Sequence, residues 1–88
     1  MNHTVSYRAK VYVTPKEAIL DPQGKAIASS LNSMGYREVD DVRLGKYLEL
    51  TLSSASDTDL SARVDEMCRR LLANDIIEDF RFEVEEAG

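Results

Sequence analysis

Few side chains of this 88-residue chain could carry out covalent chemistry. The single cysteine, Cys68, and the single histidine, His3, are the candidates for a nucleophile and its base. Cys68 falls on the apolar stripe of a predicted helix, whereas a reactive thiolate needs exposure and a positive field. His3 lies near the start of the chain, where segments commonly fray. The sequence therefore favours a packing role for Cys68 and predicts no catalytic pair.

Adjacent acids occur at Asp40-Asp41 and at Glu78-Asp79. Neighbouring side chains in a strand point to opposite faces, so neither pair offers two carboxylates to one substrate. One histidine, one cysteine and scattered acids do not have the spacing of a zinc or iron site. Isolated glycines such as Gly45 do not form a phosphate-binding loop. The residues alone predict a domain without an active site, a metal or a bound cofactor.

Charge and composition narrow the range of partners. The chain has 11 basic and 16 acidic residues, a net charge of −5, and no cluster of lysines and arginines. Nucleic acids and anionic membranes are therefore not expected as partners. The hydrophobic share of 43% and the charged share of 31% are typical of a soluble globular domain, and the length predicts a single domain over residues 1–88. No apolar run fits a transmembrane helix or a secretory signal, and a lone cysteine gives no internal disulfide, so we expect a cytoplasmic location.

Two amphipathic helices are predicted. Asp21 and Pro22 form an N-cap and a first-turn proline, and Gly35 is placed for a C-cap. Helix propensity between them is weak, so this helix should be stable only if its apolar stripe docks on a sheet. The second helix follows a capping-box pattern at Ser56 and Asp59. The two apolar stripes consist of Ile27, Leu31 and Met34, and of Leu60, Val64, Met67, Cys68 and Leu71.

Strict alternation of apolar and polar residues predicts strands at 5–14 and 80–85. Residues 38–52 are also strand-like, and two arrangements there keep the leucines on one face. One is a three-residue turn over residues 45–47, and the other is a single long strand bent at Gly45. The element order predicts an α+β ferredoxin-like sandwich, a mainly antiparallel sheet with both helices on one face.

One segment concentrates basic and aromatic character in this acidic chain, namely Arg43, Gly45, Lys46 and Tyr47. It is either an ordinary strand edge whose charges discourage aggregation or a contact surface, because arginine and tyrosine are enriched at interfaces. We take these four residues as a candidate interface. Arg43 and Lys46 are expected to face a partner and to tolerate reversal to Glu without loss of stability.

Several segments carry a family resemblance. They are KVYV at 10–13, LDPQG at 20–24, DVRLGKYLEL at 41–50 and MCRRLLAN at 67–74. With this spacing, the chain resembles the PurS family, the small subunit of phosphoribosylformylglycinamidine synthase, from about residue 7 to residue 86. The segment at 20–24 and the segment at 41–50 are specific when taken together.

The resemblance implies a function that composition does not. In this family a synthetase subunit (PurL), which uses ATP and magnesium, and a glutaminase subunit (PurQ) convert formylglycinamide ribonucleotide to formylglycinamidine ribonucleotide, the fourth step of de novo purine synthesis. The resemblance implies that the small subunit binds no cofactor, forms a homodimer or higher oligomer, and bridges the two catalytic subunits so that ammonia passes between them. Two other classes stay open: a small-molecule-binding regulatory domain of ferredoxin-like fold, and a minimal enzyme using Cys68.

Overall fold

The computed structural model describes residues 4–55 and 59–87, and this part of the chain forms a three-stranded antiparallel sheet with two helices. The first strand lies in the centre and pairs with both others. The elements are, in chain order, β1 (Val5–Pro15), α1 (Pro22–Ser33), β2 (Lys46–Ser54), α2 (Leu60–Met67) with a π-helical turn (Cys68–Leu72) directly after it, and β3 (Glu78–Glu86). The predicted α+β class and antiparallel sheet are confirmed.

The core lies between the sheet and α2. Alternate residues of β1 point to α2 and are buried, because a strand with period two presents one apolar face. Val64 of α2 and Cys68, the first residue of the π-helical turn, are fully buried against them. The flanking strands add partly buried side chains on the same face. The core side chains of the sheet are Ala9, Val11 and Val13, flanked by Leu48, Leu50, Leu52, Phe80, Phe82 and Val84.

Residues 38–52 adopt neither arrangement expected from the sequence, because residues 38–45 are not in a strand. Strand β2 begins only at Lys46, so there is neither a three-residue turn at 45–47 nor a long strand bent at Gly45. The residues directly before β2 bond to the start of α1 and not to a strand: the N–H of Leu44 donates to the carboxylate of Asp21 at 2.7 Å. The prediction that Leu48, Leu50 and Leu52 lie on the core face is confirmed.

The end of the second helix widens into a π-helical turn. The N–H of Ala73 donates to the carbonyl of Cys68, five residues back, at 2.9 Å. The extra residue shifts the apolar stripe by one position, so Leu72 packs on the core and Leu71 is 82% exposed. The prediction that Leu71 lies on the buried stripe is therefore wrong. Ser56, half of the expected capping box, lies outside the described residues, and the side chain of Asp59 makes no capping hydrogen bond.

Helix α1 begins and ends where the sequence predicts. The carboxylate of Asp21 accepts the N–H of Gly24 at 2.9 Å, and Gly35 follows the helix with φ +105°. However, Ile27 is 39% and Met34 70% exposed, so the expectation that α1 docks its stripe on the sheet of its own chain is wrong. The N-terminal end of α1 is instead bonded to the segment that returns to β2, through the hydrogen bond from Leu44 to Asp21.

The molecule is consequently long. Its radius of gyration is 17.4 Å, whereas a compact chain of this length has about 12 Å. The principal extents are 61 × 29 × 14 Å. We call residues 16–45, which leave the sheet after β1 and return at β2, the arm.

We expect an exchange between valine and threonine to have a large effect on the buried face of the sheet and a small effect on the exposed face. Val11→Thr should lower the free energy of unfolding by about 1–3 kcal/mol, because it buries a hydroxyl in an apolar core. The reverse exchange at an exposed position, Thr51→Val, should change it by less than about 0.5 kcal/mol. Urea unfolding at one protein concentration measures both. Equal effects would show that the buried face is assigned wrongly.

Candidate interaction surface

Arg43 is bound within the chain rather than directed to solvent. Its Nη2 atom donates to the carbonyl oxygen of Lys16 at 2.8 Å. Further contacts of the same guanidinium, at 3.2–3.3 Å, join it to the carbonyl oxygens of Pro15, Glu17 and Ile19. Arg43 therefore satisfies the open carbonyl groups of the loop between β1 and α1. The expectation that its charge can be reversed without loss of stability is corrected by these contacts.

Asp21 joins the same loop to the segment that returns to the sheet. Its carboxylate accepts the N–H groups of Leu44 and Gly24, and Arg43 Nε lies 3.9 Å from Oδ2. The hydrogen bond from Leu44, followed by that from Gly24, lowers the pKa of Asp21. The stabilisation is thus complete above the pKa of an unfolded aspartate and is lost as the pH falls through the lower, folded value. We call Asp21, Gly24, Arg43 and Leu44 the junction.

Gly24 completes the junction by its lack of a side chain. A Cβ atom at this position would overlap with the carbonyl oxygen of Val42 and with the carboxylate of Asp21. The two legs of the arm can therefore lie this close only with glycine at position 24. The junction accounts physically for the two specific segments at 20–24 and 41–50.

The other candidate interface residues lie where the arm meets the sheet. A Cβ atom at Gly45 would overlap with the carbonyl oxygen of Val13, so this glycine allows the close approach of β1. Lys46 is exposed at the first position of β2, paired with Val13. Tyr47 is 48% exposed on the sheet face that points away from the core. Gly45 and Arg43 thus have structural roles, while Lys46 and Tyr47 are accessible.

Tyr47 belongs to an aromatic cluster that spans the sheet. Its ring centroid lies 5.0 Å from that of Tyr12, and the guanidinium carbon of Arg81 lies 4.0 Å from the Tyr12 centroid. The hydroxyl of Tyr47 donates to Glu49 at 2.8 Å. Partial burial, followed by this hydrogen bond, raises the pKa of Tyr47 to about 12. The phenol therefore stays neutral at physiological pH.

Two members of this aromatic cluster were not identified from the sequence. Tyr12 and Arg81 each occupy a polar position of an alternating strand, which gives a signal of exposure only. They meet because Tyr12 is paired with Tyr47 on one side and with Arg81 on the other. That register depends on the sheet order, which alternation does not specify.

Cys68 packs in the core, as predicted. Its side chain is fully buried, and burial raises the pKa of the thiol. The carboxylate of Asp65 raises it further, while Arg69 acts in the opposite direction. A protonated, enclosed thiol is a poor nucleophile. His3, the other candidate, lies outside the described residues.

The paired acids bind separate structural partners or lie apart from the sheet. Glu78 accepts the N–H of Asn74 at 2.8 Å, while Asp79 pairs with Lys16 at 3.3 Å. Asp40 and Asp41 are exposed in the arm and are not in a strand. Over residues 4–55 and 59–87, no three histidine, cysteine or acidic side chains come together as a possible metal site. No described helix is both long and apolar enough to span a membrane.

Comparison with known proteins gives consistent matches over most of the chain. Residues 8–86 match the family described as PurS: phosphoribosylformylglycinamidine (FGAM) synthase. The PurS subunit of phosphoribosylformylglycinamidine synthase from Bacillus subtilis is 60% identical over 80 residues, which cover 91% of this chain and 94% of the relative. The corresponding subunit from Synechocystis is 45% identical over 84 residues, covering 96% and 82%.

Solved structures show the same similarity in three dimensions. PurS from Bacillus subtilis superimposes with a TM-score of 0.81 at 60% identity and covers 91% of this chain and 99% of that one. A chain in the structure of PurLQS from Thermotoga maritima superimposes with a TM-score of 0.78 at 26% identity, covering 93% and 98%.

We expect Cys68 to resist thiol reagents while the protein is folded, because it is fully buried. With Ellman's reagent, Cys68 of the wild type should form the mixed disulfide and release thionitrobenzoate at less than about one-tenth of the rate of a thiol placed by Ser61→Cys, on the exposed side of α2. The two rates should become equal in urea. Rapid labelling of Cys68 in the native protein would instead indicate an accessible, chemically usable thiol.

We expect the two basic residues of the candidate interface to differ in their effect on stability. Arg43→Glu should lower the free energy of unfolding by an amount on the order of 1–3 kcal/mol, since it leaves backbone carbonyls without their donor. Lys46→Glu, at an exposed position, should change it by less than about 0.5 kcal/mol. Thermal and urea unfolding measure both. A stable Arg43→Glu variant would contradict the role of Arg43 in the junction.

Proposed function

Because the chain belongs to the PurS family of phosphoribosylformylglycinamidine synthase subunits, we propose that it bridges an ATP-dependent synthetase (PurL) and a glutaminase (PurQ). Ammonia released from glutamine then reaches formylglycinamide ribonucleotide within one assembly. The observation that carries the proposal is the similarity, with a TM-score of 0.78, to a chain of the PurLQS structure. The chain is thus a subunit of an enzyme of purine biosynthesis.

A bridging subunit helps this reaction through proximity. The glutaminase and the synthetase share an intermediate, ammonia, which is diluted and protonated once it reaches water. Holding the two sites together raises its effective concentration at the acceptor and shields it from solvent. This task requires shape and contact surface from the bridging chain, and it requires no nucleophile or metal.

The described residues suit such a contact role. Cys68 is enclosed, and Glu78 and Asp79 are bound to structural partners. By contrast, Tyr47 and Arg81 of the aromatic cluster are exposed, and tyrosine and arginine are enriched at interfaces. We propose that Lys46 and Tyr47 belong to the surface that meets another subunit.

The remaining parts of the proposal concern cofactors, assembly and location. ATP and magnesium are bound by the synthetase subunit, and this chain binds neither. The chain forms a homodimer or a higher oligomer, which brings its contact surfaces together in more than one copy. The enzyme acts in the cytoplasm, and nucleic acids and membranes are not partners of this chain.

The decisive experiment measures product formation by the two large subunits with and without this chain. With glutamine as nitrogen donor, addition of the chain should raise turnover about tenfold or more, because ammonia is then transferred within the assembly. With ammonium chloride as donor, the chain should have little effect, since transfer is bypassed. The chain alone should hydrolyse neither glutamine nor ATP.

Two outcomes would contradict the proposal. One is a glutamine-dependent rate that does not respond to the chain. The other is hydrolysis by the chain alone that persists through purification and disappears in a variant such as Cys68→Ala.

A further inference from the structure

The sheet face that points away from the core concentrates basic and aromatic groups at one end. Where β1 leads into the arm, Tyr12, Tyr47 and Arg81 share this face, and Lys46 precedes Tyr47 at the start of β2. We call these four residues the basic patch. A shallow hollow of about 250 Å³ at this end is lined by Tyr12, Thr14, Lys46, Asp79, Phe80 and Arg81.

The acids around the basic patch are matched by groups of this chain. Asp79 pairs with Lys16 at 3.3 Å. Glu49 accepts a phenol of the patch at 2.8 Å, and Glu83 lies directly opposite Lys10 in the register of β1 and β3. Among the described residues, no carboxylate forms an ion pair with either cation of the patch. Two positive charges thus remain uncompensated in a chain whose net charge is −5.

The side chains of the basic patch are already ordered. The guanidinium carbon of Arg81 lies over the ring of Tyr12, 4.0 Å from its centroid. A planar guanidinium placed in this way keeps the N–H groups at its edge available to oxygen acceptors. The ring of Tyr47 lies 5.0 Å from that of Tyr12, and its hydroxyl is bonded to Glu49. A partner that binds ordered side chains loses less conformational entropy.

An anionic protein segment has the chemistry that this patch would recognise. A carboxylate can accept two hydrogen bonds from the edge of Arg81, and a second one can pair with Lys46. Arginine and tyrosine are also the residue types that dominate binding energy at interfaces. We propose that the basic patch binds an acidic segment of one of the two catalytic subunits, with Arg81 as its anchor. The proposal rests on the proposed function and adds to it the chemistry of the partner.

Charge and size favour a short protein segment as the occupant. The patch crosses three strands, about 10 Å, which three or four extended residues span. Two cations would neutralise few phosphates of a nucleic acid, and Glu83 and Glu85 follow on the same face of β3. A second copy of the chain would bring a further net charge of −5 to the contact.

The affinity of the chain for each purified catalytic subunit, and for the two together, tests the proposal. Calorimetry at two salt concentrations should show binding that weakens as the salt concentration rises. Arg81→Glu should raise the dissociation constant about a hundredfold, because it sets a like charge against the acidic segment. Lys25→Glu makes the same change of net charge at an exposed residue of the arm, and it should bind like the wild type.

A neutral variant and a folding check accompany the charge reversal. Circular dichroism and thermal unfolding establish whether each variant is folded. If Arg81→Glu is unfolded, Arg81→Gln replaces it, and its dissociation constant should rise about tenfold because the charge is lost without repulsion. The proposal is overturned if the folded Arg81 variants bind as tightly as the wild type, or if Lys25→Glu weakens binding equally. Binding that does not respond to salt, or a loss of self-association alone, would also overturn it.

The donor comparison separates this proposal from the bridging role. At a limiting concentration, Arg81→Glu should raise the glutamine-dependent rate less than the wild type does, and a large excess of the variant should restore it. The rate with ammonium chloride should be unchanged. If Arg81→Glu is as effective as the wild type, the bridging role stands and the patch is assigned wrongly. A wild type without effect on the glutamine-dependent rate would contradict the bridging role itself.

Discussion

The position of the arm depends on the carboxylate of Asp21 and the guanidinium of Arg43. Loop backbone needs hydrogen-bond partners, and a segment that pairs with no strand must find them elsewhere. Asp21 supplies the acceptor for Leu44, while Arg43 supplies donors for the carbonyls after β1. Since these contacts join residues more than 20 positions apart, they fix the direction of the arm as well as local turns.

The central strand gives the domain two different faces. One face, with Ala9, Val11 and Val13, is closed by α2 and supplies the core. The other carries charged pairs such as Lys10 with Glu85, together with the aromatic cluster around Tyr12. A small domain can bury only a limited part of its surface, so a single buried sheet face is what this length supports. The second face of the sheet therefore stays exposed to solvent in the single chain.

Local sequence patterns predicted the helices and strands. Contacts between distant residues account for most of the differences between the prediction and the structure. Alternation in β1 and β3, the cap at Asp21 and the stop at Gly35 depend on neighbours within a few residues, and all were predicted from the sequence. The π-helical turn that exposes Leu71 inserts one residue into the regular helical period. A prediction made from that period cannot foresee the insertion. The binding of Arg43 to distant carbonyls has no signal in spacing. The register that joins Tyr12, Tyr47 and Arg81 is likewise a property of the assembled sheet.

The projecting arm also changes how the protein behaves in transport. A particle with extents of 61 × 29 × 14 Å experiences more friction than a sphere of equal mass and leaves a gel-filtration column early. Its elution volume therefore corresponds to a heavier globular standard, and a single chain of 9.9 kDa can be mistaken for a pair. The mass and the shape of this molecule have to be measured independently, the mass by scattering and the shape by diffusion.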